Sequence, residues 1–164
     1  MKLESLLPAG ARSPADYLRA AQDLRLDQAG LDALAGSGYS FVRMAVARRP
    51  QAAAGTLVRV LDGDYDWWQF NDLLRVVAGH PNADRGVLLR VLHHVARLLE
   101  AAEVRPYVAA LTLAGRHELT EAEVLRLAAL PGSSRRLRRR LRTVVAGRGG
   151  QLLPGTVTHL MPQL

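Results

Sequence analysis

The chain has 164 residues, of which 49% are hydrophobic and 23% are charged, and its formal net charge is +7. These values suit a single folded domain and exclude a chain that is disordered as a whole. The chain has no cysteine, which excludes disulfides, thiolate metal sites and cysteine nucleophiles. No apolar run approaches the ~20 residues of an integral membrane segment.

The N-terminal segment carries the acidic residue Glu4 and only a short apolar stretch. This composition does not fit a secretory signal peptide. Together with the lack of cysteine and of a membrane segment, it predicts a cytoplasmic location.

The sequence predicts one helix after another and no strand. Apolar residues recur at i, i+3 and i+4 in most segments, and capping residues or prolines separate them. In chain order, the predicted helices cover residues 14–25, 31–35, 40–49, 52–61, 67–79, 84–100, 104–113, 121–130, 135–146 and 154–160.

Several helix starts can be assigned from their capping residues. Ser13 precedes Pro14, an N-cap followed by proline at the first helical position. Asp66 caps the fifth helix, and Thr120 with Glu123 forms a capping box for the eighth. The seventh helix tolerates its proline, Pro106, only in its first turn. The other predicted N-cap residues are Ser40, Asn82 or Asp84, and Ser133 or Ser134.

A weak internal repeat runs through these helices. The segment 47–61 aligns without a gap with the segment 78–92, and the frame continues from Ala114 and Ala146. With Ala11, the anchor alanines are 36, 31, 36 and 32 residues apart. Recurrence at this period indicates stacked units that cannot bury their apolar sides alone. The 1–164 domain then divides into units of approximately 11–38, 39–65, 66–102, 103–131 and 132–164.

Two of these units resemble a known family. The segments "VRMAVARRP…LVRVL" and "LLRVVAGHP…LLRVL", within Phe41–Leu92, resemble leucine-rich repeat variant proteins and, more loosely, HEAT and armadillo repeats. The resemblance implies an all-α fold: a short right-handed α-solenoid of about four to five helical-hairpin repeats. By analogy it also implies a binding role. The cysteine-rich iron–sulfur segment of some members is absent here, and no cofactor is predicted.

The repeat frame places arginines at equivalent positions. Arg59, Arg90 and Arg126 align in three units, and Arg19 fits a fourth. If their helices line a concave side, they form a ladder that attracts phosphates or acidic peptides. The alternative interpretation is that each arginine only covers apolar surface on the solvent side of its helix.

A second basic feature is a helix dense in arginine. Residues 83–164 hold thirteen Arg and six acidic residues, whereas residues 1–82 are neutral overall. An apolar stripe of leucine and valine lies opposite this charge, and no aromatic residue follows Tyr107. Such a helix is either a solvated surface or a site for DNA, RNA, an acidic protein or an anionic membrane surface. Its arginines are Arg135, Arg136, Arg138, Arg139, Arg140 and Arg142.

An aromatic cluster lies at the junction of two units. Trp67 and Trp68 are adjacent, so they diverge by about 100° on a helix, and one is expected in the core with the other partly exposed. A partly exposed tryptophan is typical of a protein–protein interface. The alternative is that Trp67, Trp68, Tyr65 and Phe70 fill a wide gap between repeats.

No catalytic or metal-binding motif is recognised. No two of the five histidines lie three or four residues apart with a carboxylate partner, so no metal site is predicted. Asp62, Asp64, Asp66 and Asp72 lie near the tryptophans, as aspartates do in helical-repeat DNA glycosylases. The motifs of that family cannot be matched, and no enzyme activity is predicted.

The sequence supports two functions. The first is a non-catalytic scaffold that binds a protein partner through a groove or the tryptophan junction. The second is binding of DNA or RNA through residues 135–142 and a basic concave side. Self-association through the terminal units is a further expectation, because a short solenoid leaves apolar ends.

Overall fold

The computed structural model describes residues 1–149, and within that range the chain is helical with no strand. The prediction of an all-α fold is confirmed, while the helix predicted over 154–160 lies outside the described residues. The α-helices are α1 Pro14–Gln22, α2 Gln28–Ala35, α3 Ser40–Ala47, α4 Ala54–Leu61, α5 Trp67–Ala78, α6 Arg85–Ala101, α7 Tyr107–Ala114, α8 Glu121–Leu125 and α9 Arg135–Arg148. Short 3-10 helices cover Leu3–Ser5 and Arg126–Ala129.

Most of the predicted capping residues are found at their helix starts. Ser13 and Asp16 form a capping box on α1, and the Asp66 side chain accepts from the backbone N–H of Gln69. The box of Thr120 and Glu123 caps α8. Where the sequence left alternatives, Asp84 caps α6 and Ser134 caps α9. These side chains satisfy N–H groups that have no partner inside the helix.

Other predicted helix ends were wrong. Ser40 is the first helical residue of α3 and not its cap; the cap position belongs to Tyr39, whose ring stacks on Phe41 at 5.6 Å. The first helix ends at Gln22 and not near residue 25. The backbone of Asp23 is extended and its carboxylate accepts the N–H of Arg25 at 2.9 Å, which forms a turn instead of another helical residue.

The seventh and eighth helices also differ from their predictions. Pro106 is the cap of α7 and does not lie in its first turn, because its backbone (φ −76°, ψ 48°) is not helical. The helix therefore begins three residues later than predicted. The eighth helix has only five α-helical residues before it tightens into the 3-10 helix Arg126–Ala129.

The helices pack in two rows. In the first row, α1 contacts α3, α3 contacts α5, α5 contacts α7, and α7 contacts α9. In the second row, α2 contacts α4 and α4 contacts α6. One hydrophobic core runs between the rows and includes Leu31, Leu57, Leu88 and Leu113, each with no exposed area. The helices of the two rows thus bury their apolar sides against one another.

Side chains in the turns connect successive units through carbonyl oxygens. Arg49 donates from Nη1 to the carbonyls of Ala21 and Asp23, each at 2.7 Å. His80 places Nε2 2.9 Å from the Arg49 carbonyl, and Arg116 donates to the carbonyl of His80 at 3.0 Å. Ala21 lies in the last turn of α1, where a carbonyl has no partner inside the helix. The carbonyls of Asp23, Arg49 and His80 lie in turns and already accept a backbone N–H, so the side chains add a second donor to them.

The last helix repeats this arrangement. Arg148 donates from Nε to the carbonyl of Ala114 at 2.6 Å and from Nη1 to that of Leu119 at 2.7 Å. We call the four residues the carbonyl clasp: Arg49, His80, Arg116 and Arg148. Each clasp residue thus joins its own segment to a carbonyl that lies earlier in the chain.

An ion pair makes a further connection between units and predicts a pH effect. Arg85 and Thr120 lower the pKa of Glu123 from its usual 4.5 to about 2, chiefly through the Arg85 side-chain hydrogen bond. The folded carboxyl has the lower pKa, so its contribution to stability is complete above pH 4.5 and is lost as the pH falls towards 2. Glu123→Gln is therefore expected to have a lower free energy of unfolding than wild type at pH 7. Below pH 3, the two free energies of unfolding should approach each other.

Urea unfolding at pH 7, 4, 3 and 2.5 measures this convergence. Glu121→Gln is the control, since Glu121 forms no ion pair within residues 1–149. A difference between wild type and Glu123→Gln that stays constant across these pH values would contradict the prediction.

Candidate functional site

A groove crosses the outer side of the first row of helices. It has a volume of about 660 Å³, and a smaller depression of about 190 Å³ continues it to the start of α7 through the shared residues Trp68 and Asp72. We call this surface the aromatic groove. Its principal apolar residues are Leu18, Phe41, Met44, Ala45, Trp68 and Val108.

The two tryptophans are both exposed. Trp67 is 48% and Trp68 is 68% accessible, and their ring centroids are 3.8 Å apart. The expectation that one of them lies in the core was wrong. They occupy the first turn of α5, and the buried residues of that helix begin only at Leu73. Trp68 thus presents a large apolar surface to solvent at the centre of the groove.

The polar side of the aromatic groove is cationic. The carboxylate of Asp72 accepts from Arg48 and from Arg75, each at 2.6 Å, and Arg105 lies at the far end. Burial raises the pKa of Asp72, but the hydrogen bonds and charges of Arg75 and Arg48 outweigh burial and lower it. Asp72 is thus a single negative charge among several arginines, so the groove has a net positive charge.

Tyr65 and Phe70 lie outside the aromatic groove. The Tyr65 hydroxyl donates to the carbonyl of Val60 at 2.6 Å and accepts from Nε of the buried Arg43 at 3.0 Å. Phe70 is half-buried, and its ring meets that of His94 edge to face at 5.0 Å. The Tyr65 contacts hold the junction between α4 and α5, and the Phe70 contact joins α5 to α6. The sequence cluster therefore divides into two exposed tryptophans and two packed rings.

The structure separates the aligned arginines. Arg59 and Arg90 are exposed on the neighbouring helices α4 and α6, and Arg126 is exposed on the 3-10 helix after α8. Arg19 is exposed on α1, in the other row, where it pairs with Asp16. Arg90 pairs with Asp62 at 3.0 Å. Two members of the predicted ladder, Arg59 and Arg90, therefore belong to the second row, whereas Arg19 belongs to the first row and Arg126 follows α8.

The arginine-rich helix has the predicted amphipathic form. In α9, Leu137, Leu141 and Val145 are buried against α7 and α8, and Val144 is half-buried. Arg138 is half-buried, and its Nε has no partner within residues 1–149. The other arginines of residues 135–142 are exposed, and we call them the arginine face: Arg135, Arg136, Arg139, Arg140 and Arg142.

The acidic and imidazole groups are dispersed. In the part of the chain that the structure describes, no three His, Asp or Glu side chains are grouped so that they could hold a metal ion. Asp62 pairs with Arg90, Asp66 caps α5 and Asp72 binds two arginines. The aspartates near the tryptophans are thus largely occupied by structural contacts.

Sequence analysis missed the carbonyl clasp and the aromatic groove. The clasp has a signal in the repeat frame, because each of its residues lies two positions after an anchor alanine, as in "ARR", "AGH" and "AGR". The aromatic groove has no such signal in the sequence, because Leu18 and Phe41 occupy ordinary positions of amphipathic helices.

Comparison of the chain with protein-family models, with curated proteins and with solved structures finds no match. The resemblance to helical-repeat families therefore depends on the repeat frame alone. None of the helices within residues 1–149 combines the length and apolarity that a membrane span requires.

Proposed function

We propose that this protein is a non-catalytic scaffold, a short solenoid of helical hairpins, that binds a segment of another protein in the aromatic groove. The exposure of Trp68 carries the proposal. A tryptophan that is 68% accessible leaves a large apolar area in water, where its burial would be favourable. Tryptophan and arginine are the residues most enriched among those that dominate binding energy in protein interfaces.

The groove residues indicate the chemistry of the partner. The groove lining combines the buried Met44 with the exposed rings of Phe41, on α3, and Trp68, on α5, so its surface is apolar and partly aromatic. Arg48 and Arg75 stand beside Trp68 and share one carboxylate. A segment with apolar side chains flanked by aspartate or glutamate complements both properties.

The row of helices supports the groove mechanically. The segments that carry it, α1, α3 and α5, pack successively on one another, and the carbonyl clasp joins the turn after α3 to the end of α1. Binding residues held on packed helices keep their positions before the partner arrives, which lowers the ordering cost of association.

Trp68→Ala is expected to weaken the partner complex by at least about 30-fold, because truncating a central tryptophan costs about 2 kcal/mol or more. Wild type and variant are immobilised and used to capture proteins from a cell lysate. Proteins that depend on Trp68 are then purified and titrated by calorimetry.

Leu24→Ala is the matched control. Leu24 is 76% exposed, but it lies in the turn after α1 and outside the groove, so it should leave binding unchanged. The proposal is wrong if every captured protein is retained equally by wild type and Trp68→Ala, or if Leu24→Ala weakens the complex as strongly.

A further inference from the structure

We infer that α9 is a binding site for a nucleic acid duplex, which it contacts through the phosphates with the arginine face. This site is separate from the aromatic groove and does not depend on the function proposed there. The charge pattern is the first argument: residues 124–164 contain eight arginines and no aspartate or glutamate.

The arginine face works against the stability of its own helix. Arg135 and Arg136 are the first two residues of α9, where unpaired N–H groups already give the helix end a partial positive charge. Arg135 with Arg139, and Arg136 with Arg140, are like charges four residues apart, which repel. An external anion would offset both effects.

The described structure offers no such anion. None of the arginine-face residues forms an ion pair within residues 1–149, whereas Arg85, Arg90 and Arg116 each do. Residues 150–164 contain no acidic side chain that could supply one. The face is therefore a concentrated positive surface without an internal counterpart, which attracts polyanions.

The geometry favours a duplex over a membrane surface. A membrane-binding amphipathic helix inserts its apolar side among the lipids, but Leu137, Leu141 and Val145 are buried against α7 and α8. The arginines, Arg138 included, span about 200° of the helix circumference at 100° per residue. A flat surface reaches only part of such an arc, whereas the major groove of a duplex has phosphates on both sides of an inserted helix.

The surroundings of α9 disfavour single strands. No Trp, Tyr or Phe occurs in residues 108–164, so nothing on α9 or beyond it can stack on unpaired bases. The contacts proposed for the arginine face are to phosphates, which carry no information about base sequence. We therefore expect duplex binding that depends on salt and only weakly on base sequence.

Fluorescence anisotropy with a labelled 24-base-pair DNA duplex, and with an RNA duplex of the same sequence, tests this inference. Five phosphate contacts predict a slope of about −4.5 for log affinity against log salt. In Arg139→Gln/Arg140→Gln/Arg142→Gln, two phosphate contacts remain, so the slope should become less steep, at about −1.8. The affinity should decrease by at least about 30-fold at 100 mM salt. Binding of the DNA duplex supports the inference, whereas binding of the RNA duplex alone would contradict it, because the deep and narrow major groove of an RNA duplex does not admit a helix.

Two variants and one alternative ligand complete the experiment. Arg12→Gln/Arg25→Gln/Arg97→Gln removes the same number of positive charges outside the arginine face. It should change affinity less than about threefold, because these three arginines are not expected to contact phosphates. Arg139→Lys/Arg140→Lys/Arg142→Lys keeps the charge and should keep the slope. Circular dichroism checks that every variant is folded. Equal losses in both glutamine variants, or binding to phosphatidylserine vesicles without binding to either duplex, would overturn the inference.

Discussion

Replacing Arg116 by alanine is expected to lower the free energy of unfolding by about 3 kcal/mol. Arg116 donates to the carbonyls of His80 at 3.0 Å and Ala83 at 2.8 Å and pairs with Glu118 at 2.8 Å. Its side chain is mostly buried, so the carbonyls would lose a charged donor with little access to water. Hydrogen bonds to charged groups contribute about 1.5–3 kcal/mol each, and the partial exposure of Arg116 reduces their sum.

Urea unfolding followed by circular dichroism at pH 7 measures this loss. Arg116→Lys should lose about half as much, because a single ammonium lacks the planar fork that reaches two carbonyls together. Arg97→Ala is the control: Arg97 is exposed on α6 and is expected to stay within about 0.5 kcal/mol of wild type. A loss below about 1 kcal/mol in Arg116→Ala would show that the carbonyl clasp does not stabilise the stack.

Gly132→Ala is expected to destabilise the protein by a similar amount, about 3 kcal/mol. The N–H of Gly132 donates to the carbonyl of Leu99 at 2.7 Å. A Cβ at this position would lie 2.6 Å from that carbonyl oxygen and 3.1 Å from the Leu99 Cα. Both are main-chain atoms at the end of α6, so no side chain can rotate away to relieve the contact.

The turn around Gly132 has little freedom to shift. The Tyr107 hydroxyl donates to the Gly132 carbonyl at 2.9 Å, and the buried Ser133 is bonded to the Leu127 carbonyl. Thermal and urea unfolding measure the effect. Gly55→Ala is the matched control, since nothing lies within 4 Å of a Cβ there and alanine favours the helix α4. Gly132→Ala and Gly55→Ala having equal stability would refute the close-contact argument.

The aligned arginines show how far a repeat frame can be extended into space. Arg59 and Arg90 were predicted from their equivalent positions to share a surface, and the structure places them on adjacent helices of one row. Arg19 has a similar local sequence, but its helix starts a row instead of following a clasp turn. Local sequence identifies a position on a helix; which row that helix joins depends on its neighbours.

The tryptophans show a second limit. Adjacency in the sequence predicted that Trp67 and Trp68 diverge on a helix, with one in the core, but their ring centroids lie 3.8 Å apart and both rings are exposed. The prediction did not place the helix start relative to the core. The burial of α5 begins at Leu73, more than one turn later, and both rings remain exposed. Burial depends on which other helices lie alongside, and that information comes from distant segments.

The amino-acid sequence by itself determined the helical class, most capping residues, the apolar stripe of α9 and its arginines. These features depend on neighbours within about four residues along the chain, where helix geometry fixes the relative positions. The tertiary structure alone decided that Leu18, Phe41 and Trp68 share one groove and that Arg116 reaches the carbonyls of the preceding unit. Such contacts join residues more than twenty positions apart, and only the packing of helices on one another brings them together.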